Sequence, residues 1–249
     1  LLSFNTQAQV TCTATTDNIE LNSIVPWSSG SLTDSLLNVA CRNPSTFTYR
    51  AAVCLSLGQG SAGTGIRTRQ LSMTGTSQSP ALKVSVMIKG HINFGSYYDS
   101  AGPVEMVMSV GPRSSASASF PVTVMIENGQ SSALSGTYFT SFEDIHTGIA
   151  VAYAISPLAP NCKTMAPESS NGFGFRVTAR IPDYCTITSE PADMVFADND
   201  AVVIERQIAS TSLAVRCTNS TAYQIYLEPA NGNQQGVGKM LPASRTSGG

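Results

Sequence analysis

The segment 173–181, Phe-Gly-Phe-Arg-Val-Thr-Ala-Arg-Ile, sets the fold class of this chain. From its third residue onward, apolar and polar side chains alternate strictly, with two arginines and a threonine on the polar side. A period of two is typical of a strand that covers a core with one face and meets solvent with the other. The segment therefore predicts a half-buried β-strand.

Similar strand-like segments recur along most of the chain. They are rich in β-branched and aromatic residues, they are separated by Gly, Ser, Asn and Pro, and none keeps a helical period. The clearest lie at 81–88, 103–110, 120–126 and 148–155. Short strands at such intervals predict an all-β protein built as a sandwich or barrel.

The composition narrows the class of protein further. Of the 249 residues, 12% are charged and 42% are hydrophobic, which excludes a disordered, highly charged chain. The net charge of −2 argues against nucleic acid as the main partner. No apolar run is long enough to predict a membrane helix. The sequence begins without a methionine or a basic leader, as we expect of a mature exported protein.

Six cysteines form an even set without any Cys-x-x-Cys pair, and only two histidines accompany them. Because a zinc site needs closely spaced ligands, we expect neither a metal nor a cofactor. Three disulfides formed in an oxidising compartment are the favoured interpretation, and six buried thiols in a cytosolic core are the alternative. The cysteines are Cys12, Cys41, Cys54, Cys162, Cys185 and Cys217.

An internal repeat predicts two related domains. The motif Cys-Thr-x-Thr begins at Cys12 and again at Cys185, and Val-x-Cys-x-Asn surrounds Cys41 and again Cys217. The two offsets, 173 and 176 residues, differ by the length of a small loop change. We therefore expect an N-terminal domain over 1–181 and a C-terminal domain over 183–249. The second is too short to close a two-layer sandwich, so it is expected to be truncated or to need a strand from elsewhere.

Sequence motifs for catalysis or ligand binding are weak. Residues 58–63 spell G-x-G-x-x-G, but a strand is predicted after them instead of a helix, which favours a hairpin tip. His146 lies near two acidic residues without a nucleophile elbow, and His91 is expected in a turn. Asp-Asn-Asp at 198–200 lacks the rest of a calcium loop, and 219–221 is a formal glycosylation sequon. An enzyme is therefore the weaker hypothesis.

The repeated cysteine motif resembles the spore coat protein U domain of archaic chaperone–usher pilus subunits. The Gly-Gln turn at 129–130 and the Gly-x-Tyr strand start at 136–138 are similar to the same family. Two such domains in one chain resemble the Csu-type tip subunits, in which an adhesin domain precedes a pilin domain. The resemblance covers most of 10–142 and 183–249, leaves out 143–181, and lacks the closing Gly-x-Tyr strand in the second copy.

The resemblance implies two immunoglobulin-like, pilin-type sandwiches, of which the second needs a donor strand. A periplasmic pilus chaperone and later the next pilus subunit would supply that strand, and an outer-membrane usher would assemble the fibre. Residues 4–10 look like the domain's own first strand, so the chain is expected to donate no strand and to stand at the pilus tip. The implied function is a tip adhesin, exported through the periplasm to the cell surface, that attaches to abiotic or host surfaces and supports biofilm formation.

The alternative is a secreted β-sandwich carbohydrate-binding module or hydrolase. A sugar binder usually presents several exposed aromatic rings, whereas this chain has a single tryptophan, Trp27, which we expect in the core. Copurification with a periplasmic chaperone would separate the two hypotheses, because an enzyme needs no such partner.

With two copies of one domain, repeat logic also predicts how the cysteines pair. The repeated motifs pair Cys12 with Cys41 and Cys185 with Cys217, which leaves Cys54 for Cys162. The third bridge would fix the 143–181 segment to a strand of the first domain. A bridge between Cys54 and Cys41 would contradict this scheme.

The predicted surface-binding loop is the connection 156–172, between the strands at 148–155 and 173–181. If the later strand completes the first domain, it begins at the pole far from the linker, and the loop projects there. Its stiff, apolar composition favours adhesion to hydrophobic surfaces without a sugar pocket, the alternative being a loop folded back over the core. The expected contact residues are Pro157, Leu158, Ala159, Pro160, Met165, Ala166 and Pro167, with Val110 and Pro112 from another turn.

Overall fold

A computed structural model of the chain describes residues 10–28, 32–65, 69–75, 79–91, 95, 102–143, 146–158, 160–162, 168–170, 172–194 and 208–227. Over these ranges the regular elements are fourteen strands and no α-helix, which confirms the all-β prediction. In the same ranges no helix is long and apolar enough to cross a membrane.

The strands follow one another in this order: β1 (Thr11–Thr16), β2 (Ile19–Leu21), β3 (Leu32–Asn43), β4 (Tyr49–Leu57), β5 (Gln70–Met73), β6 (Leu82–Ile88), β7 (Val104–Val110), β8 (Ser114–Ile126), β9 (Gly136–Phe142), β10 (Thr147–Ile155), β11 (Glu168–Ser170), β12 (Phe175–Ile181), β13 (Cys185–Ser189) and β14 (Ala214–Cys217).

Three sheets are formed from these strands. The first has eight strands in the order β1-β3-β8-β6-β5-β9-β12-β2, and the second has four, β11-β10-β4-β7. In the first sheet only β12 and β2 are parallel. The apolar faces of these two sheets enclose one core that extends from β1 to β12. Strands β13 and β14 form a separate two-stranded sheet.

Strand β12 is the element that the alternating segment predicts. Phe175, Val177, Ala179 and Ile181 are buried in the core, whereas Arg176 and Arg180 face solvent. The strand lies between β9 and β2, so it is an internal strand of the first sheet. The alternation therefore predicted both the strand and its buried face.

A buried cation joins the end of β4 to the residue that precedes β5. Arg69 is only 2% exposed, and it donates hydrogen bonds to the carbonyl oxygens of Leu57 and Gly58, at 2.9 Å each. Burial lowers the pKa of Arg69 to about 10, so the guanidinium is still protonated at neutral pH. Charged hydrogen bonds of this kind offset part of the desolvation cost and fix the chain as it leaves β4.

All three predicted disulfides are present, with the predicted pairing. Two of them join residues directly opposite each other on neighbouring antiparallel strands, and the third ties the segment 160–162 to β4. By the chain-entropy model each bridge contributes about 3–5 kcal/mol by restricting the unfolded chain. The bridges are Cys12–Cys41, Cys54–Cys162 and Cys185–Cys217.

The connection from β10 to β12 does not run as predicted. Strand β11 lies antiparallel beside β10, with Ser170 opposite Ile149, and Gly172 lies directly against Thr147 at the start of β10. The chain has thus returned to the beginning of β10 before β12 begins. The expectation that β10 ends and β12 begins at the same pole is therefore wrong. A short edge strand of three polar residues lies between them, and such a strand has no apolar alternation by which it could be recognised in the sequence.

The two-stranded sheet contacts the large sandwich through an aromatic pair and a hydrogen bond. The Trp27 ring stacks on Tyr184 at 6.2 Å between centroids, and the Arg216 guanidinium lies 4.9 Å from the Trp27 ring centre. Asn219 donates its side-chain amide to the Ser132 carbonyl at 3.0 Å. Trp27 is half-buried at this contact, so the expectation that it lies in the core is wrong.

Candidate surface-binding pole

Strand register brings three loops together at one end of the sandwich. Tyr49, the first residue of β4, pairs with Val110 at the end of β7 and with Ile155 at the end of β10. The loops that follow β7 and β10 therefore lie beside the loop that precedes β4. We call the loops 44–48, 111–113 and 156–158, with the strand ends that carry them, the distal pole.

Backbone hydrogen bonds join these loops to one another. The amide of Ser156 donates to the Thr48 carbonyl at 3.1 Å, and the amide of Arg113 donates to the Ser45 carbonyl at 2.8 Å. Each bond crosses from one loop to another. The three loops therefore form one surface.

The buried side chain of Asn43 organises the same loops from below. Its amide nitrogen donates to the carbonyl oxygens of Phe47, Val110 and Gly111 at 2.7, 3.1 and 2.8 Å, and its oxygen accepts from the Ser45 amide at 2.9 Å. A planar amide with these partners fixes the positions of two loops at once.

The distal pole lies far from the contact with the two-stranded sheet. Strand β8 starts at Ser114, opposite Asn43, and ends at Ile126. Its 13 residues span about 40 Å at about 3.3 Å per residue. The segment that contacts Asn219 follows within eight residues of Ile126. The pole and this contact are thus at opposite ends of β8.

Large apolar side chains are exposed at the distal pole. Leu158 is 67% exposed and Phe47 is 58% exposed, and Ile155, Pro157 and Pro112 are exposed beside them. Single exposed apolar residues are common, but a contiguous group on one surface usually marks an interaction site. The pole is therefore the candidate surface for binding.

The predicted contact residues differ in where the structure places them. Pro157, Leu158 and Pro112 are exposed at the pole, and the turn at 110–112 shares the pole with 156–158. Val110 and Pro160 are buried, Val110 in the core and Pro160 beside the Cys54–Cys162 bridge, so neither can contact a surface. Ala159, Met165, Ala166 and Pro167 lie outside the described residues.

Sequence reasoning missed Phe47. It lies in the loop Asn-Pro-Ser-Thr-Phe-Thr at 43–48, directly after the repeated cysteine motif. A single large apolar residue in an otherwise polar connection was the available signal. The signal was weak because a single apolar residue at the surface is ordinary and does not by itself indicate a binding site.

A second apolar surface lies on the two-stranded sheet. A groove of about 290 Å³ runs along β13, β14 and the segment 223–226, and its lining includes Ile187, Leu213 and Val215. Ile187 is exposed and the other two are half-buried. The aromatic and aliphatic residues around it, Tyr223, Ile225, Tyr226 and Leu227, are exposed as well.

The repeat allows a direct comparison of this groove with the first sandwich. Ala14 and Val39 occupy in the first copy the places of Ile187 and Val215, on strands joined by an equivalent disulfide. Ala14 is 7% exposed and Ile187 is 58% exposed. In the first copy the second sheet covers the strand pair, and Met108 of that sheet touches Cys41 at 3.8 Å between sulfurs. Over the residues described, no second sheet covers β13 and β14.

Among the residues that the structure describes, the weak catalytic motifs are not brought together, and the Asp-Asn-Asp segment at 198–200 lies outside these residues. Within the described ranges, no group of three or more His, Cys, Asp or Glu side chains could hold a metal ion. Residues 58–63 form a turn packed on β9, where Ser61 donates its amide to Ser141, and no helix opens at 64–65. His91 lies in a turn after β6, as predicted.

The comparison with protein families concerns the C-terminal part of the chain. Residues 172–247 match the family model of the Spore Coat Protein U domain. The match confirms the resemblance that the second cysteine motif predicts. No curated protein matches the chain.

Two solved structures illustrate what the fold is similar to. The CsuC–CsuE chaperone–tip adhesion subunit pre-assembly complex from archaic chaperone-usher Csu pili of Acinetobacter baumannii is 14% identical, with 85% of this chain and 72% of that chain covered and a TM-score of 0.42. The CooA pilin subunit from enterotoxigenic Escherichia coli is 12% identical, with 68% and 98% covered and a TM-score of 0.37. Likeness at this level assigns no function to this chain.

Proposed function

We propose that this chain is the tip adhesin subunit of an archaic chaperone–usher pilus and that its distal pole attaches to hydrophobic surfaces, supporting biofilm formation. In this proposal it is exported through the periplasm, has no enzymatic activity, and comprises an adhesin domain over 1–181 and a pilin domain over 183–249. The open groove on β13 and β14 takes a β-strand from a periplasmic chaperone, and in the fibre from the next subunit after assembly by the usher.

One observation carries the proposal: eight of the fourteen large apolar side chains that are exposed in the described chain lie on two surfaces at opposite ends of β8. One surface is the distal pole and the other surrounds the groove. The exceptions in the described chain are Leu32, Leu36, Val107, Tyr184, Met194 and Ile208. A surface fibre tip needs both features, an open groove toward the fibre and a contact surface away from it.

The adhesin domain has the means to be complete in itself. Strand β12 lies between β9 and β2 and supplies four side chains to the core. The segment 143–181, which the first copy has in addition to the repeat, thus provides a strand that the groove of the second copy lacks. We therefore expect only the pilin domain to depend on a donor strand.

A sugar-binding module is the weaker proposal for a specific reason. Trp27, the single tryptophan of the chain, packs against Tyr184 and Arg216 at the contact with the two-stranded sheet. A sugar that stacked on this ring would have to compete with these contacts.

The proposed function can be tested by measuring how much of the full chain, in complex with its chaperone, attaches to polystyrene. Leu158→Asp and Phe47→Asp should each reduce attachment at least tenfold, because a charged group at the contact must lose its water when the surfaces meet. Leu36→Asp is the matched control, since Leu36 is 56% exposed but lies on the outer face of β3, away from the pole. Normal attachment by both pole variants would remove the distal pole from the function.

A further inference from the structure

Three arginines stand at the distal pole, and its loops contain no acidic residue. Arg42 precedes the last residue of β3, Arg50 is the second residue of β4, and Arg113 lies in the turn between β7 and β8. The segments 42–50, 109–115 and 154–158 include no Asp or Glu, although the chain as a whole has a net charge of −2. The pole is thus a cationic region of a slightly anionic protein.

The strand pattern places these arginines around the apolar loops. Arg42 stands between the buried residues Cys41 and Asn43, so it lies on the outer face of the eight-stranded sheet. Arg50 stands between two buried residues of β4, so it lies on the outer face of the four-stranded sheet. Arg113 occupies the turn that joins the two sheets. The cations therefore flank the exposed apolar group on both faces and at the turn.

Nothing in the described structure neutralises these charges. None of the three guanidinium groups forms an ion pair within the described ranges, and the hydrogen bond made by Arg113 at the pole uses its backbone amide. Arg42 and Arg113 are exposed, and Arg50 is half-buried. A guanidinium beside apolar surface keeps its stem on that surface and its charge in water.

We propose that the target of the distal pole is an apolar solid surface that carries fixed negative charge. This inference rests on the proposed function and adds the chemistry of the surface. Apolar contact at Phe47 and Leu158 accounts for attachment, and the three arginines select a surface of opposite charge. One cationic residue near an anionic surface gains on the order of fivefold in binding, and salt screens the gain beyond about 8–10 Å.

The exposed residues of the pole favour a solid surface over a lipid bilayer. Proteins that insert into the bilayer interface commonly present Trp or Tyr there. Among the aromatic residues described at the pole, Phe47 is exposed, Tyr153 is half-buried and Tyr49 is buried. The ring of Phe47 carries no polar group that would sit among lipid headgroups.

This inference can be tested with polystyrene beads of one size that carry either carboxylate or amine groups. The amount of the full chain, in complex with its chaperone, that binds each kind of bead is measured. We expect at least tenfold more protein on the carboxylate beads at about 0.02 M salt and a difference below threefold at about 0.5 M salt. The variant Arg42→Gln/Arg50→Gln/Arg113→Gln should lose the preference for carboxylate beads at low salt. The control Arg176→Gln/Arg180→Gln removes two arginines from β12 and should keep the preference.

Two results would overturn the inference. Equal binding of the unaltered protein to both beads at low salt would show that charge does not select the surface. Tighter, arginine-dependent binding to phosphatidylserine vesicles than to carboxylate beads would show that the target is a bilayer. The proposed function is tested separately by Leu158→Asp, which should lower binding to both kinds of bead. Unchanged binding of this variant would contradict the proposed function.

Discussion

At the scale of single residues, the same motif position performs two different tasks in the two copies of the repeat. Asn43 and Asn219 each end a Val-x-Cys-x-Asn motif. Asn43 is fully buried and joins two loops of the distal pole, whereas Asn219 donates to Ser132 and joins the two-stranded sheet to the sandwich. The sequence predicted that the two residues are equivalent. It could not predict their tasks, because those depend on which loops lie next to each strand end.

Asn43→Asp should disorder the distal pole. The aspartate keeps the acceptor for the Ser45 amide but turns an oxygen toward the carbonyls of Phe47, Val110 and Gly111, which then lack a donor. Leaving buried polar groups unpaired costs about 1–3 kcal/mol each. We expect faster amide hydrogen exchange in 44–48 and 111–113 and weaker attachment at a temperature where the sandwich is still folded.

The exposed Asn38 provides the control for this prediction. Asn38 lies on the outer face of β3, where its side-chain oxygen accepts from Ser119. Asn38→Asp keeps that acceptor and should leave exchange at the pole unchanged. Unaltered exchange in Asn43→Asp would instead show that backbone hydrogen bonds suffice to hold the loops.

At the scale of strands, the sequence predicted those elements whose two faces differ. Strand β12 alternates over seven residues and was predicted with its buried face. Strand β11, with the sequence Glu-Ser-Ser, has no apolar residue to alternate, so the return of the chain along β10 could not be foreseen. The end of β10 at the pole was predicted, but the prediction that β12 begins there was wrong, because the three-residue strand separates them.

Ile187→Asp should prevent stable association with a periplasmic chaperone. Ile187 lines the open groove and is 58% exposed, and burial of such a side chain by a donor strand contributes about 1.5–3 kcal/mol. The aspartate replaces this gain with the cost of burying a charge. We expect at least a tenfold lower yield of the chaperone-bound full chain from the periplasm.

Thr188→Asp is the control, because Thr188 follows Ile187 on β13 and is exposed but does not line the groove. Its yield should match that of the unaltered chain. A normal yield of Ile187→Asp together with a loss in Thr188→Asp would place the partner strand outside the groove.

At the scale of the whole molecule, the repeat predicted a second unit, but no local pattern predicted how it sits on the first. Trp27 was expected in the core because tryptophan buries a large area, yet it forms the contact between the two units. The partners Tyr184 and Arg216 are more than 150 residues away in the sequence. Contacts of this kind depend on tertiary structure, and neither the alternation of apolar residues nor the spacing of motifs predicts them.

The Trp27 contact should hold the distal pole in line with the fibre. The cation–π and stacking interactions of one ring contribute about 1–2 kcal/mol together, and the Asn219 hydrogen bond adds about 1 kcal/mol. Trp27→Ala should therefore release the two units without unfolding the sandwich, since the ring is only half-buried. Small-angle X-ray scattering of the chaperone-bound chain should show a broader distribution of interatomic distances, with an unchanged unfolding temperature of the sandwich.

Tyr226→Ala, which removes an aromatic ring that is 80% exposed on the groove side, should leave the distribution unaltered. Identical scattering from Trp27→Ala and the unaltered chain would mean that the linker at 182–184 and Asn219 alone fix the arrangement.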